Sequence, residues 1–176
     1  MHDPVARLRS LIRDVPDFPK KGILFRDITP LLADATALKT SIQLLAQPYY
    51  GKAIDLVVAA ESRGFIFGTA IACRLSAGFV PVRKVGKLPA ESVAVRYDLE
   101  YGTDSLHIHA DAIRPGQRVL LCDDLLATGG TMKACCDLVS RLGGQIVGIT
   151  VLIELAGLDG RQKLTPHPVR SLIRYD

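Results

Sequence analysis

The sequence has 176 residues, of which 48% are hydrophobic and 23% are charged. This length and composition allow a single domain with a real core, and they exclude wholesale disorder. The formal net charge of +4 is compatible with nucleic acid and equally with small polyanionic substrates. The first ten residues contain no apolar signal-peptide region, and no apolar run approaches the roughly 18 residues of a membrane helix, so we expect no membrane partner.

The hydrophobic pattern predicts helices and strands that alternate along most of the chain. Helical spacing predicts a helix near residues 5–12 and another at about 36–49, with a loop and short extended pieces between them. From residue 54 onward, short apolar runs typical of buried strands alternate with amphipathic helices. The predicted strands are, in order, IDLVVAA, FVPVRK, AVRYDL, SLHIHA, RVLLC, IVGITVLIEL and SLIRY.

These elements predict an α/β fold with a mainly parallel, twisted sheet flanked by helices. The helix after IDLVVAA is expected to stop at Gly78, and TMKACCDLVSRL is expected to end at Gly143 and Gly144. AVRYDL and SLHIHA flank EYGTD, which predicts a hairpin or a long flexible arm. The inward face of the helix after IDLVVAA is predicted to contain Ile66, Phe67, Ala70, Ile71 and Leu75.

The cysteines indicate a reducing compartment. No two of them have the CxxC spacing of a zinc or redox site, and all lie within apolar patterns. We therefore predict reduced thiols packed as small hydrophobic residues, in a cytoplasmic protein. The residues concerned are Cys73, Cys122, Cys135 and Cys136.

The sharpest chemical signal is the segment RVLLCDDLLATGGTMKA. A buried strand is expected to end in Asp123 and Asp124, and a small loop then leads into a helix. Backbone amides of a glycine-rich turn and of a helix N-terminus form an anion cradle, to which threonine hydroxyls add donors. The Gly-Lys-Ser/Thr ending of a Walker A loop is missing. The cradle residues are Ala127, Thr128, Gly129, Gly130 and Thr131.

Two carboxylates beside a phosphate cradle would repel the phosphate, so we expect them to accept hydrogen bonds from sugar hydroxyls. A site that binds a 5-phosphate in the 127–131 loop and a ribose diol at Asp123 and Asp124 would bind a phosphoribosyl group. For the DD-x4-GG pattern taken alone, a helix-capping turn with surface aspartates is the alternative interpretation.

Two other turns after predicted strands contain cations. In ESRGF, Arg63 can bind a diphosphate through its guanidinium group, or form an ion pair at the start of a helix. In RKVGKLP, Arg83, Lys84 and Lys87 suit a substrate with several negative charges, although such a cluster alone is also typical of a solvated basic turn.

Together these segments resemble the adenine phosphoribosyltransferase family of type I phosphoribosyltransferases. The Asp123–Thr131 region resembles the phosphoribosyl diphosphate-binding motif of the type I enzymes. The resemblance covers nearly the whole chain and implies one phosphoribosyltransferase domain over residues 1–176, with a base-binding hood at about 1–34 and a flexible β-arm at about 94–110. The other segments that resemble the family are FPKKGILFRDITPLL, ESRGF, RKVGKLP, LEYGTDSL and VLIELAGLDGRQKL.

The resemblance implies a role for the cations and for the arm. Lys84 and Lys87 would line the substrate phosphate site, and Arg83 would act there or across a subunit contact. The arm would close over the substrates, so that Glu100, beside Tyr101, approaches the imidazole edge of adenine as general base.

The resemblance also implies a base pocket in ILFRD. Phe25 would stack on the purine, while Arg26 and the Leu24 backbone hydrogen-bond its edge. The Leu24 carbonyl would accept from the adenine amino group and so select against the keto group of hypoxanthine. Leu125 would cover the second face of the base.

The implied reaction joins adenine to 5-phosphoribosyl 1-diphosphate and gives AMP and diphosphate. The resemblance implies Mg²⁺ held by the diphosphate and water, with no direct protein ligand, and a homodimer without a nucleic-acid partner. One alternative is a phosphoribosyltransferase for another purine, such as guanine or xanthine. Another is a nucleotide-sensing regulator on the same fold, which would need an added DNA-binding domain, and a third is a domain that has lost activity.

Overall fold

The computed structural model describes residues 3–98 and 103–176, and the chain divides into two units, residues 1–44 and 45–176. In the first unit, the Asp3 carboxylate accepts from the Val5 amide at 2.9 Å and caps a short helix that buries Leu8. The sequence predicted this helix, but it read ITPLL as loop, where a second short helix forms. The elements are α1 (Pro4–Ser10), β1 (Arg13–Pro16), β2 (Leu24–Asp27), α2 (Thr29–Ala33) and α3 (Ala35–Ala46).

In the second unit, strands and helices alternate as predicted. The described strands of this unit form a seven-stranded sheet in the order β5-β6-β4-β3-β7-β8-β9. Its elements are β3 (Leu56–Ala60), α4 (Gly64–Leu75), β4 (Gly78–Lys84), β5 (Ser92–Asp98), β6 (Thr103–His109), β7 (Arg118–Leu126), α5 (Gly130–Arg141), β8 (Gln145–Leu155) and β9 (Val169–Tyr175), with 3₁₀ turns at Gln47–Tyr49, Ala156–Leu158 and Gly160–Leu164.

The sheet is mainly parallel, which confirms the predicted fold class. Strands β4, β3, β7, β8 and β9 pair in parallel, whereas the β5–β6 hairpin joins the edge of β4 in antiparallel fashion. The hairpin was one of two structures predicted for this segment. The carboxyl ends of parallel strands meet at one edge of the sheet, so the turns after β3, β4 and β7 share that edge.

The core lies between this sheet and α5, and it explains why the central strands are continuous apolar runs. Val58, Leu121 and Val151 of three neighbouring strands have no exposed surface, and neither do Leu138 and Val139 of α5. Full burial of each such side chain contributes about 1.5–3 kcal/mol relative to exposure. The sheet is therefore a firm support for the loops at its edge.

Some local predictions about α4 were wrong. The helix ends at Leu75, its C-cap Ser76 adopts a left-handed conformation with φ 54°, and Gly78 instead begins β4. Ile66 is 40% exposed, because the buried face of α4 runs through Phe67 and Ile71. Cys73 lies on the outer side of α4 and is exposed, whereas the other three cysteines are buried, and all four are free. Within the described residues, no helix is long and apolar enough to cross a membrane.

Candidate active site

Strand β7 presents the aspartate pair. The sequence predicted that the strand ends in Asp123 and Asp124, but β7 continues to Leu126 because Asp123 and Leu125 pair with Val151 and Ile153 of β8. Both aspartates face the start of α4, where Asp124 contacts Arg63 and Asp123 lies beside Gly64. The loop and helix then follow as predicted, and α5 begins at Gly130.

Asp124 is held by the turn after β3. Its side chain is 8% exposed, and its Oδ2 atom lies 2.6 Å from Nε of Arg63. Arg63 is the N-cap residue of α4, so this ion pair connects the start of α4 to the end of β7. A buried carboxylate needs such a partner, because an unpaired buried charge is strongly destabilising. The contact brings two separately predicted motifs, ESRGF and the aspartate pair, into one site.

Asp123 has a different electrostatic environment. Its Oδ1 atom accepts from the Asp124 amide at 2.9 Å. Burial and the neighbouring charge of Asp124 raise the pKa of Asp123 well above its usual range, and the Asp124 amide and Arg63 offset this only in part. A Cβ atom at position 64 would lie 2.9 Å from the same Oδ1 atom. The close approach of α4 to Asp123 therefore requires glycine at this position.

A cavity of about 390 Å³ joins these elements. The start of α5 opens into it, and the first amides of a helix have no partner within the helix, so this end of the cavity suits an anion. The structure thus brings together the predicted Arg63, the aspartate pair, Leu125 and the whole 127–131 loop. The cavity is lined by Glu61, Ser62, Arg63, Asp123, Asp124, Leu125, Leu126, Ala127, Thr128, Gly129, Gly130, Thr131 and Met132.

Gly160 is a part of the site that sequence reasoning missed. Gly129 adopts φ 79°, and the backbone of Gly160 packs against it. A Cβ atom at Gly160 would lie 2.8 Å from the Gly129 nitrogen and still closer to the Ala127 carbonyl oxygen. The next residue, Arg161, is anchored to buried Glu154 by a bond of 2.8 Å from Nε to Oε1 and by a second bond at Oε2. The Gly160–Leu164 turn therefore supports the 127–131 loop from behind.

The basic turn after β4 lies outside the residues that line this cavity. Arg83 lies 3.3 Å from Glu61, which also accepts from the Lys84 amide. Burial raises the pKa of Glu61, but the Lys84 amide and Arg83 outweigh it, so that pKa falls below its usual value. Arg83 thus contacts the Glu61–Arg63 turn of its own chain, while Lys87 is exposed.

The predicted base-binding residues lie in the first unit. Leu24 is 44% exposed, and the Phe25 ring packs edge-on against Phe18 with 5.1 Å between centroids. The Arg26 guanidinium is ion-paired with Asp14. Phe25 therefore lies on a strand of the small β1–β2 hairpin, and its ring is in edge contact with Phe18.

Glu100 and Tyr101 lie outside the described residues, so their predicted roles remain predictions. Among the residues that are described, no group of three or more His, Cys, Asp or Glu side chains could hold a metal ion. Mg²⁺ commonly keeps several waters and binds through one or two carboxylates and substrate phosphates, and the aspartate pair fits that kind of site.

Comparison with known proteins gives one consistent family. Residues 30–172 match the phosphoribosyl transferase domain. An adenine phosphoribosyltransferase of Acidobacterium capsulatum is 60% identical over 168 residues, covering 96% of this chain and 93% of that protein.

Two solved structures agree. Adenine phosphoribosyltransferase from Thermoanaerobacter pseudethanolicus has a TM-score of 0.95 at 55% identity, covering 97% of this chain and 99% of that one. The enzyme from Saccharomyces cerevisiae, complexed with an imino-altritol bisphosphate and adenine, has a TM-score of 0.91 at 38% identity, covering 96% and 98%. The aspartate pair, the glycine loop and the Arg63 turn thus occur in a chain that, over nearly its whole length, belongs to the adenine phosphoribosyltransferase family.

Proposed function

We propose that this chain transfers the phosphoribosyl group of 5-phosphoribosyl 1-diphosphate to adenine, giving AMP and diphosphate in purine salvage. The observation that supports this most strongly is the meeting of an aspartate pair, a glycine loop at a helix N-terminus and an arginine turn in one cavity. A phosphoribosyl diphosphate needs acceptors for its diol, amides for its 5-phosphate and cations for its diphosphate. Relatives named adenine phosphoribosyltransferase, at 55–60% identity, support adenine as the base.

In the proposed complex, the 127–131 loop binds the 5-phosphate, and Asp123 and Asp124 accept hydrogen bonds from the ribose hydroxyls. The ion pair between Arg63 and Asp124 would connect the proposed diphosphate turn to the proposed diol site. Lys84 and Lys87 complete the diphosphate site from the turn after β4, and Arg83 orients Glu61 beside it.

In the proposed reaction, adenine N9 attacks the anomeric carbon while the bond from that carbon to the diphosphate oxygen breaks. The proton lost from the purine passes to Glu100. The protein contributes mainly by positioning the two substrates and by stabilising the negative charge that develops on the diphosphate. Mg²⁺, bound to diphosphate oxygens and water near the aspartate pair, would neutralise part of that charge.

The test of the function is an assay of nucleotide formation with phosphoribosyl diphosphate, Mg²⁺ and each purine base in turn. We expect AMP from adenine, and little product from guanine, xanthine or hypoxanthine. Faster reaction with another purine would establish the alternative transferase. Binding of AMP without turnover of any base would instead support a nucleotide sensor.

Phe25→Ala should weaken adenine binding much more than phosphoribosyl diphosphate binding. Stacking on an aromatic ring contributes about 1–3 kcal/mol per base, which corresponds to roughly 5-fold to 150-fold in affinity. Titration calorimetry with each substrate separately measures both effects, and the diphosphate substrate serves as the internal control. Equal weakening of both substrates would argue against a base pocket at Phe25.

Gly160→Ala should distort the 127–131 loop, because its new Cβ would overlap the Ala127 carbonyl oxygen. Overpacking of this kind costs about 1–3 kcal/mol. We expect a higher Michaelis constant for phosphoribosyl diphosphate and an unchanged one for adenine, measured by steady-state kinetics. The matched control is Gly157→Ala in the preceding 3₁₀ turn, where a Cβ would meet nothing within 4 Å. If both variants behave alike, Gly160 does not shape the loop.

We also propose that the enzyme works as a homodimer in the cytoplasm. The free cysteines, three of them buried, support a reducing compartment. Exposed Ile66 and Val85 are large apolar side chains near the catalytic edge of the sheet, and they are candidates for burial between subunits. Sedimentation of the purified chain tests the dimer directly.

A further inference from the structure

The β5–β6 hairpin contacts one of the groups proposed to bind substrate. The Lys84 ammonium lies 3.2 Å from Oδ2 of Asp104 in β6. Asp104 and Tyr97 are directly opposed across the hairpin. The ion pair therefore joins the end of β4 to the β6 strand of the hairpin.

The Asp104 carboxylate is well placed to remain an anion. Its side chain is 22% exposed, and its Oδ1 atom accepts from the Ser105 amide at 2.8 Å. That amide and Lys84 hold the pKa of Asp104 below its usual range. In the same pair, Asp104 raises the pKa of Lys84. Because the carboxylate is mostly covered, its attraction for Lys84 is screened less than that of a fully exposed pair.

We propose that Asp104 is an internal competitor for the diphosphate of the substrate, and that it determines the affinity of the enzyme for diphosphate. This rests on the proposed function, since it takes Lys84 as a diphosphate-binding group. The Asp104 carboxylate forms the ion pair with the Lys84 ammonium that a phosphate oxygen of the substrate would otherwise form. An incoming diphosphate has several negative charges, so it displaces the single charge of Asp104 and takes over the ammonium.

The test measures binding of inorganic diphosphate, in the presence of Mg²⁺, to the full chain by titration calorimetry. Asp104→Asn should bind diphosphate about threefold to tenfold more tightly, because the competing ion pair is lost. The matched control is Asp111→Asn, which makes the same charge change at an exposed position after β6 and should alter the affinity by less than about twofold. Equal or weaker binding by Asp104→Asn overturns the inference.

Lys84→Ala separates this inference from the proposed function. If Lys84→Ala weakens diphosphate binding while Asp104→Asn leaves it unchanged, Lys84 binds substrate and only the competition is wrong. If Lys84→Ala has no effect, then Lys84 is not a diphosphate ligand, and both the inference and that part of the proposed function are wrong. The expected result is weaker binding by Lys84→Ala and tighter binding by Asp104→Asn.

Discussion

A chain in which Asp123 and Asp124 are both replaced by asparagine should bind phosphoribosyl diphosphate at least about 100-fold more weakly than the native chain, because hydrogen bonds to charged groups contribute about 1.5–3 kcal/mol each. Asparagine keeps the size and one oxygen acceptor, but it removes the negative charge that strengthens bonds from the ribose hydroxyls. Titration calorimetry with the substrate and Mg²⁺ measures the loss.

The double variant should remain folded, because Asp123 itself costs stability at neutral pH. Its raised pKa means that the folded chain holds the Asp123 proton more tightly than the unfolded chain does. The stability from such a group is fully present below the unfolded pKa and is lost as the pH rises through the folded pKa. Asp123→Asn alone should therefore raise the unfolding temperature at neutral pH, and this gain should vanish in acid.

The control for these variants is Asp137→Asn. Asp137 forms an exposed ion pair with Lys133 on α5, so this change removes a carboxylate near the site without touching the cavity. We expect native affinity and native stability, since exposed pairs contribute little. Normal binding of phosphoribosyl diphosphate by the double variant would instead place the ribose diol elsewhere.

Much of the fold could be predicted because the period of the hydrophobic pattern and the positions of turn residues depend on local structure. The continuous apolar run LVVAA is typical of a strand that is covered on both faces. The helix α5 shows a clear apolar stripe. The end of β7 could not be predicted in this way. Asp123 and Asp124 are poor strand residues, and only pairing with Val151 of β8, distant in the sequence, keeps them in the sheet.

The candidate site shows the same division. The aspartate pair, the 127–131 loop and Arg63 could be predicted because they lie in turns that follow buried strands, where parallel sheets bind their ligands. Gly160 could not, since its role depends on a backbone contact with Gly129 across 31 positions of sequence. The contact of Lys84 with Asp104 was missed for a similar reason, because the hairpin register that brings Asp104 to β4 is a property of the sheet.

Glu100→Gln should lower the turnover number by roughly 10²–10⁴, the usual range for one acid–base group. Glutamine keeps the shape and a hydrogen-bonding amide, but it cannot accept the proton that adenine loses as N9 attacks. The Michaelis constant for phosphoribosyl diphosphate should change little, because the aspartate pair and the 127–131 loop are intact. Steady-state kinetics with both substrates gives both constants.

Two other variants sharpen the test. Glu100→Ala should be no more active than Glu100→Gln, because neither side chain can act as a base. Glu91→Gln makes the same chemical change at an exposed position just before β5, and it should keep native turnover. All three variants should keep near-native unfolding temperatures, because Glu91 is exposed and Glu100 is predicted to lie on the arm rather than in the core. Substitutions outside the core usually change stability by less than about 0.5 kcal/mol.

The comparison must be made on the chemical step, because release of product can limit the native turnover and hide part of the effect. A single-turnover experiment, with enzyme in excess over phosphoribosyl diphosphate and adenine at saturation, follows the formation of AMP directly. If Glu100 is the base, the single-turnover rate falls together with the turnover number. The pH dependence of that rate then also loses the part that is due to ionisation of a carboxyl group. If the rate in Glu100→Gln stays within about threefold of native, well below the effect of a general base, Glu100 only contacts the substrates. The proton would then pass to Tyr101 or to bound water, and Tyr101→Phe would separate those two routes.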